Sequence, residues 1–205
     1  MKPLEGIYAI TDDILTPHET IISQVEAALK GGAKVVQLRN KSDKDDDLVE
    51  VATQLQKLCT TYQATFFIND RVELTKKVKA DGVHIGYSDL AVSEARKILG
   101  QKVKIGVSCY GDLERAQKAV ADGADYVAFG AFYPSKTKPK AAVVDLEVIS
   151  QAKKELNVPV CVIGGINETN IHEVAKHQPD MYSLVSDIFE AENIQQKVER
   201  LTQKI

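Results

Sequence analysis

Eight short segments rich in β-branched and aromatic residues recur along the chain: IYAIT (7–11), VVQL (35–38), TFFI (65–68), GVHI (82–85), KIGVS (104–108), YVAFG (126–130), PVCVIG (159–164) and YSLVS (182–186). Most are apolar on both faces, so both sides of the sheet they form must be covered. The intervals carry the 3.6-residue period of helices, with Ile21, Ile22, Val25 and Leu29 on one stripe and Leu48, Val51, Ala52, Leu55 and Leu58 on another. LTKKVKA, SEARKILG, LERAQKAVADG, DLEVISQAKKELN and NIHEVAKH continue the pattern, and most of these helices close on Gly or Asn. Strands alternating with helices at a spacing of roughly 25 residues imply parallel βα units. Eight such units predict an α/β protein of the (β/α)8 TIM barrel class, with residues 1–205 as a single domain. A doubly wound open sheet is the alternative, but neither IYAIT nor YSLVS carries a device that blunts an edge strand. The echo between ALKGGAKVVQL and AVADGADYVAF, a helix running through a small turn directly into a strand, favours repeated units.

At 205 residues the chain suits one core. Charged residues make up 27%, the formal net charge is -3 and the mean hydropathy is -0.18, which excludes the strong basic excess of a nonspecific nucleic-acid binder. An anionic small substrate remains compatible, because local Lys and Arg residues decide that. No apolar run approaches the roughly 20 residues of a membrane span. The opening MKPLEGIYAITDD lacks a basic stretch followed by an apolar one, so neither a membrane partner nor export is expected. Cys59, Cys109 and Cys161 form no CxxC pair and are odd in number, which favours buried free thiols in a cytoplasmic protein. A homo-oligomer is possible, since barrels pair through outer helices, but the apolar faces are already needed for packing.

In a parallel barrel the chemistry lies in the loops after the strands. Strand 2 continues as VVQLRNK, where alternation puts Gln37, Arg39 and Lys41 on one side. Asn69 and Asp70 follow strand 3, with Asp70 readable either as a helix N-cap or as a site carboxylate. His84 lies on strand 4, Asp89 follows it, and Ser108 ends strand 5. His84 reads as a half-buried strand residue or as a hydrogen-bonding group beside a substrate. The sixth loop, FGAFYPSKTKPKAA, offers Ser135, Lys136, Thr137, Lys138 and Lys140, a cluster suited to phosphate or simply a solvated surface. Gly164, Gly165 and the amides around Ser186 can form a phosphate nest after strands 7 and 8. Arg39, Lys41 and Lys138 thus form one anion-seeking region, and Gly165 with Ser186 another. Two phosphorylated small molecules or one bisphosphate are implied. Asp70 and Asp89 between them suit a six-coordinate Mg2+. Arg39 and the cation would stabilise a departing pyrophosphate without a nucleophilic side chain.

YAITD, GGAKVVQLRNK, FFINDR, ADGVHIG..D, IGVSCY, GADYVAFGAFYPSKTK and VIGGI, in this order over nearly the whole chain, resemble the thiamine phosphate synthase family. The resemblance implies a (β/α)8 transferase that joins a pyrimidinylmethyl diphosphate to a thiazole phosphate and releases pyrophosphate. It implies that Gln37, Arg39 and Lys41 line the pyrimidine diphosphate site, that Asn69 and Lys138 meet its pyrophosphate, and that Asp70 and Asp89 bind Mg2+. Ser108 would lie beside the pyrimidine, where a carbocation forms before the thiazole nitrogen attacks. Ser135 and Thr137 match the hydroxyl pair of the mobile sixth loop, while Gly165, Val185 and Ser186 match the thiazole phosphate end. Tyr87 and Ser88 depart from the usual Gln and acidic residue, MYSLVSDIF is more polar than usual, and IGGIN replaces IGGIT. A thiazole-phosphate isomerase and a non-enzymatic precursor sensor are the competing functions. The first has no use for the pyrophosphate grip of Arg39, Lys41, Asn69 and Lys138; the second would bind without turnover.

Overall fold

The structure, a computed structural model, describes residues 2, 4–86, 90–134 and 142–205. Eight parallel strands close into a barrel: β1 (Gly6–Ile10), β2 (Val35–Leu38), β3 (Thr65–Asn69), β4 (Gly82–Ile85), β5 (Lys104–Tyr110), β6 (Tyr126–Phe129), β7 (Val160–Val162) and β8 (Met181–Leu184). Pairing of β8 with β1 completes the ring, so the open-sheet alternative fails and no edge needs protection. The described helices are α1 (Ile21–Lys30), α2 (Asp45–Thr61), α3 (Val72–Val78), α4 (Val92–Leu99), α5 (Leu113–Ala121), α6 (Glu147–Glu155), α7 (Ile171–Ala175), α8 (Ser186–Phe189) and α9 (Ile194–Thr202).

The acidic run before the second helical stripe becomes its first turn, where Asp45, Asp46 and Asp47 meet the positive end of the helix dipole. PVCVIG contributes only three residues to the sheet, because Gly164 and Gly165 take positive φ and turn the chain out of β7. YSLVS likewise stops at Leu184, and Ser186 opens α8 instead of ending a strand. The last helix, α9, is capped by the Asn193 side chain, which accepts from the Gln196 amide.

Two cores result. One lies between sheet and helices, and the other fills the barrel with Tyr8, Ile10, Val35, Phe67, Tyr126, Ala128, Cys161 and Met181. The rings of Tyr8, Phe67 and Tyr126 pack with centroids 5.3 to 6.3 Å apart. Tyr126 pairs in register with Gly106, where a Cβ would lie 2.0 Å from the tyrosine ring, so the glycine makes room for the ring. Cys59, Cys109 and Cys161 are free and buried, and burial pushes each thiol up to about 12.

At the N-terminal end of the barrel one device repeats three times. Asp81, Asp125 and Asp180 immediately precede β4, β6 and β8, and each carboxylate accepts the backbone N–H of the preceding strand, from Phe66, Ile105 and Val160 at 2.7 to 2.9 Å. Each also ion-pairs, with Lys2, Arg96 and Lys153 respectively. The place before β2 is held by Lys34, whose amide donates to Ile7 O. Among the described residues no helix is long and apolar enough to cross a membrane.

Candidate active site

The opposite, C-terminal end of the barrel opens into a cavity of about 650 Å³. Gln37, Arg39, Asn69, His84, Ser108, Gly165, Val185 and Ser186 all line it, so residues spread over six strand ends meet in one space. Asp89, Ser135, Thr137 and Lys138 lie outside the described residues, as do Tyr87, Ser88, Lys136 and Lys140.

At the end of β3 the capping reading of Asp70 fails. Arg71 is the residue before α3, and no side chain caps that helix. Asp70 instead adopts φ +62°, a left-handed conformation unusual for a residue other than glycine, and its amide donates to His84 O. This bend places the carboxylate where Asn69 Nδ2 donates to Oδ2 at 2.6 Å and Lys41 Nζ stands 3.5 Å away. Lys41 is fixed from the other side, because its amide donates to the Asp13 carboxylate. Arg71 ties the second and third loops together: its guanidinium donates to the carbonyls of Asn40 and Asp43 and ion-pairs with Asp45. The Arg39 amide donates to Thr11 Oγ1, anchoring that residue's backbone at the cavity wall.

Inside the barrel a polar chain crosses the aromatic core. Gln37 Nε2 donates to Tyr8 OH at 2.7 Å, Tyr8 OH meets Tyr126 OH at 3.1 Å, and Tyr126 OH meets His84 Nδ1 at 2.7 Å. His84 Nε2 then meets Ser108 Oγ at 2.8 Å. Burial pushes both phenols above their ordinary range, so both hydroxyls keep their protons. A bulge between Ser108 and Tyr110 re-aims the end of β5, and the Tyr110 ring lies 5.2 Å beneath the Arg115 guanidinium.

Across the cavity, Gly164 and Gly165 press against the start of the sixth loop. A Cβ on Gly165 would lie 2.6 Å from Pro134 O, and one on Gly164 would lie 2.4 Å from Ala131 Cβ. The neighbouring Glu168 binds three basic side chains: Lys197 at 2.9 Å, Arg200 at 2.9 Å and Lys204 at 3.7 Å. Arg200 and then Lys197 hold its carboxyl down at about 2. Asp187 accepts the Glu168 amide and pairs with Lys197, so α9 is tied to the loops after β7 and β8.

Tyr8, Tyr126, Arg71, Glu168 and Asp187 escaped the sequence reading. The tyrosines were visible as hydroxyls inside apolar strands. The ionic residues gave no such sign.

No group of three or more His, Cys, Asp or Glu side chains able to hold a metal occurs among the described residues. Asp70, bonded to the cavity-lining Asn69, supplies a hard carboxylate oxygen of the kind that suits Mg2+.

A (β/α)8 barrel with cations at one side of its C-terminal mouth and a glycine turn at the other belongs to the class of phosphate-handling barrel enzymes. The family model described as thiamine monophosphate synthase matches residues 7–188. A thiamine-phosphate synthase of Halorhodospira halophila is 45% identical over 93% of this chain and 89% of its own. One from Thioalkalivibrio sulfidiphilus is 42% identical over 97% and 94%. The solved thiamine phosphate pyrophosphorylase from Pyrococcus furiosus superposes with a TM-score of 0.90 at 34% identity, covering 99% of this chain and 96% of that one. 3-Hexulose-6-phosphate synthase, with a TM-score of 0.71 and 18% identity, shares the fold. The chain belongs to the thiamine monophosphate synthase family, enzymes that couple a pyrimidine to a thiazole phosphate.

Proposed function

We propose that this chain joins 4-amino-2-methyl-5-pyrimidinylmethyl diphosphate to a (carboxy)thiazole phosphate, as one catalytic domain, with thiamine phosphate and pyrophosphate as products. The observation that carries the reading is the polarity of the cavity. Arg39 and Asn69 line one side, with Asp70 and Lys41 joined to Asn69 behind it, Gly165, Val185 and Ser186 line the other, and Gln37 and Ser108 complete the wall. A diphosphate at the first side and a monophosphate at the second leave the two rings facing each other between them.

In this reading Arg39 and Lys41, joined by Lys138 from the sixth loop, neutralise the charge that builds on pyrophosphate as the C–O bond breaks and its electron pair leaves with the oxygen. Asn69 donates to the same group. Gln37 and Ser108 hold the pyrimidine while it carries the developing positive charge, and the thiazole nitrogen then donates its lone pair to form the C–N bond. Gly165, Val185 and Ser186, with the hydroxyls of Ser135 and Thr137, bind the thiazole phosphate. Asp70 and Asp89 would hold Mg2+, which when bound supplies additional positive charge beside the diphosphate.

Purified protein given both substrates with Mg2+ is expected to form thiamine phosphate and pyrophosphate in equal amounts, and to form no coupled product from either substrate alone. Saturable binding of both without turnover would overturn the reading.

A further inference from the structure

Gln37, Tyr8, Tyr126, His84 and Ser108 stand on five different strands, yet they form one continuous hydrogen-bonded chain through the barrel. Each link carries one proton, so the direction of one link dictates the next. Gln37 Nε2 is a donor only, which makes the Tyr8 oxygen its acceptor and sends the Tyr8 proton to Tyr126. The Tyr126 proton must then go to His84 Nδ1, and the proton of neutral His84 must sit on Nε2, aimed at Ser108 Oγ. The Ser108 oxygen is thereby an acceptor toward the protein, and its own proton is available to the cavity it lines.

We propose that Gln37 sets the direction of this chain, holds His84 as the Nε2-protonated tautomer, and so fixes Ser108 as a hydrogen-bond donor toward the ligand. His84 and Tyr126 are then positioning residues that act through Ser108, and the ligand edge facing Ser108 must be an acceptor, such as an unprotonated ring nitrogen. This assignment rests on the reading that the pyrimidine lies against Ser108. A reversed chain, with the Gln37 carbonyl accepting from Tyr8, would put the His84 proton on Nδ1 and turn Ser108 into an acceptor for the ligand.

The two directions differ in an observable that needs no substrate. In ligand-free protein labelled with 15N-histidine, with the His84 signals identified by their loss in His84→Asn, the expected pattern is a protonated Nε2 and a bare Nδ1. Tyr8→Phe cuts the chain between Gln37 and His84 and should give a mixture of tautomers. Gln37→Glu, whose carboxylate accepts from Tyr8, should move the proton to Nδ1. A wild-type proton on Nδ1, or an unchanged tautomer in folded Tyr8→Phe, overturns the proposal. In turnover, Tyr126→Phe should lower kcat about 10-fold, as the loss of one buried hydrogen bond predicts, with KM for the thiazole phosphate unchanged. The same substitution should cost nothing further in a Ser108→Ala background; a full additional loss there would overturn the role assigned to Ser108. Absence of thiamine phosphate formation by the wild type would refute the functional reading and leave the tautomer result standing.

Discussion

Arg71, where the chain leaves β3, forms an ion pair with Asp45 in the first turn of α2. The same guanidinium donates to Asn40 O and Asp43 O, so one side chain holds the loop that carries Lys41 against the loop that carries Asp70. Arg71 is therefore the joint between the two halves of the proposed diphosphate grip.

Arg71→Ala should loosen that joint. Removing charge-assisted hydrogen bonds from a mostly buried guanidinium is expected to cost about 2–4 kcal/mol of stability. KM for the pyrimidine diphosphate should rise while KM for the thiazole phosphate stays within error. Steady-state kinetics with each substrate varied in turn checks this, alongside thermal unfolding; a rise in both constants would mean general loosening instead.

Asn69 is buried, and one of the two N–H donors of its amide goes to Asp70. Asn69→Ala should leave circular dichroism and Tm near the parent values and slow turnover by about 30- to 1,000-fold, the range for losing a donor that strengthens as charge develops. Thiazole phosphate binding, measured by calorimetry, should be unaffected. A normal rate would reduce FFINDR to a strand end.

Asp180→Ala tests the other end of the barrel. The Val160 amide loses its acceptor and Lys153 its partner, at a cost of about 2–3 kcal/mol for the unpaired buried N–H and the broken pair. Denaturant unfolding should show the loss, while kcat and both KM values of the folded fraction stay unchanged, because no cavity residue moves.

The Glu168 carboxyl is held at about 2, below the ordinary value of 4.5, by Arg200 and Lys197. A depressed folded-state value means that the unfolded chain binds the proton more tightly, so this contribution to stability is complete above about pH 5 and is lost as pH falls from there toward 2. Glu168→Gln should therefore be less stable than the parent at neutral pH, and the gap should narrow across that acidic window. Denaturant midpoints at several pH values would show it, and a gap independent of pH would remove Glu168 from the ionic cluster.

The barrel was legible because its strands are buried on both faces, and burial writes continuous apolar runs: VVQL and YVAF are buried at every position. Helix α9 was not, since only Val198 and Leu201 are fully buried and the rest of its sequence is polar. Gln37, Arg39, Asn69, Ser108 and Gly165 could be placed at the cavity because strand alternation and order along the chain fix which ends meet. Tyr8 and Tyr126 could not be paired in advance, because 118 residues separate them and only closure of the barrel brings their hydroxyls together. Arg71 reads locally as part of a helix start, although its partners lie 26 to 31 residues away. Long-range polar contacts leave no periodic trace.

The aspartates before β4, β6 and β8 each bind the strand just behind them, which staples β3 to β4, β5 to β6 and β7 to β8, while the β1–β2 step carries Lys34 instead. The ring is thus assembled from two-strand modules of unequal independence. In a circularly permuted chain whose new termini fall between stapled pairs every clasp stays local in sequence, whereas a break inside a pair leaves its clasp to be made between the two ends of the chain; the modules mark where such a barrel can be cut, duplicated or recombined with its floor formed by neighbouring segments.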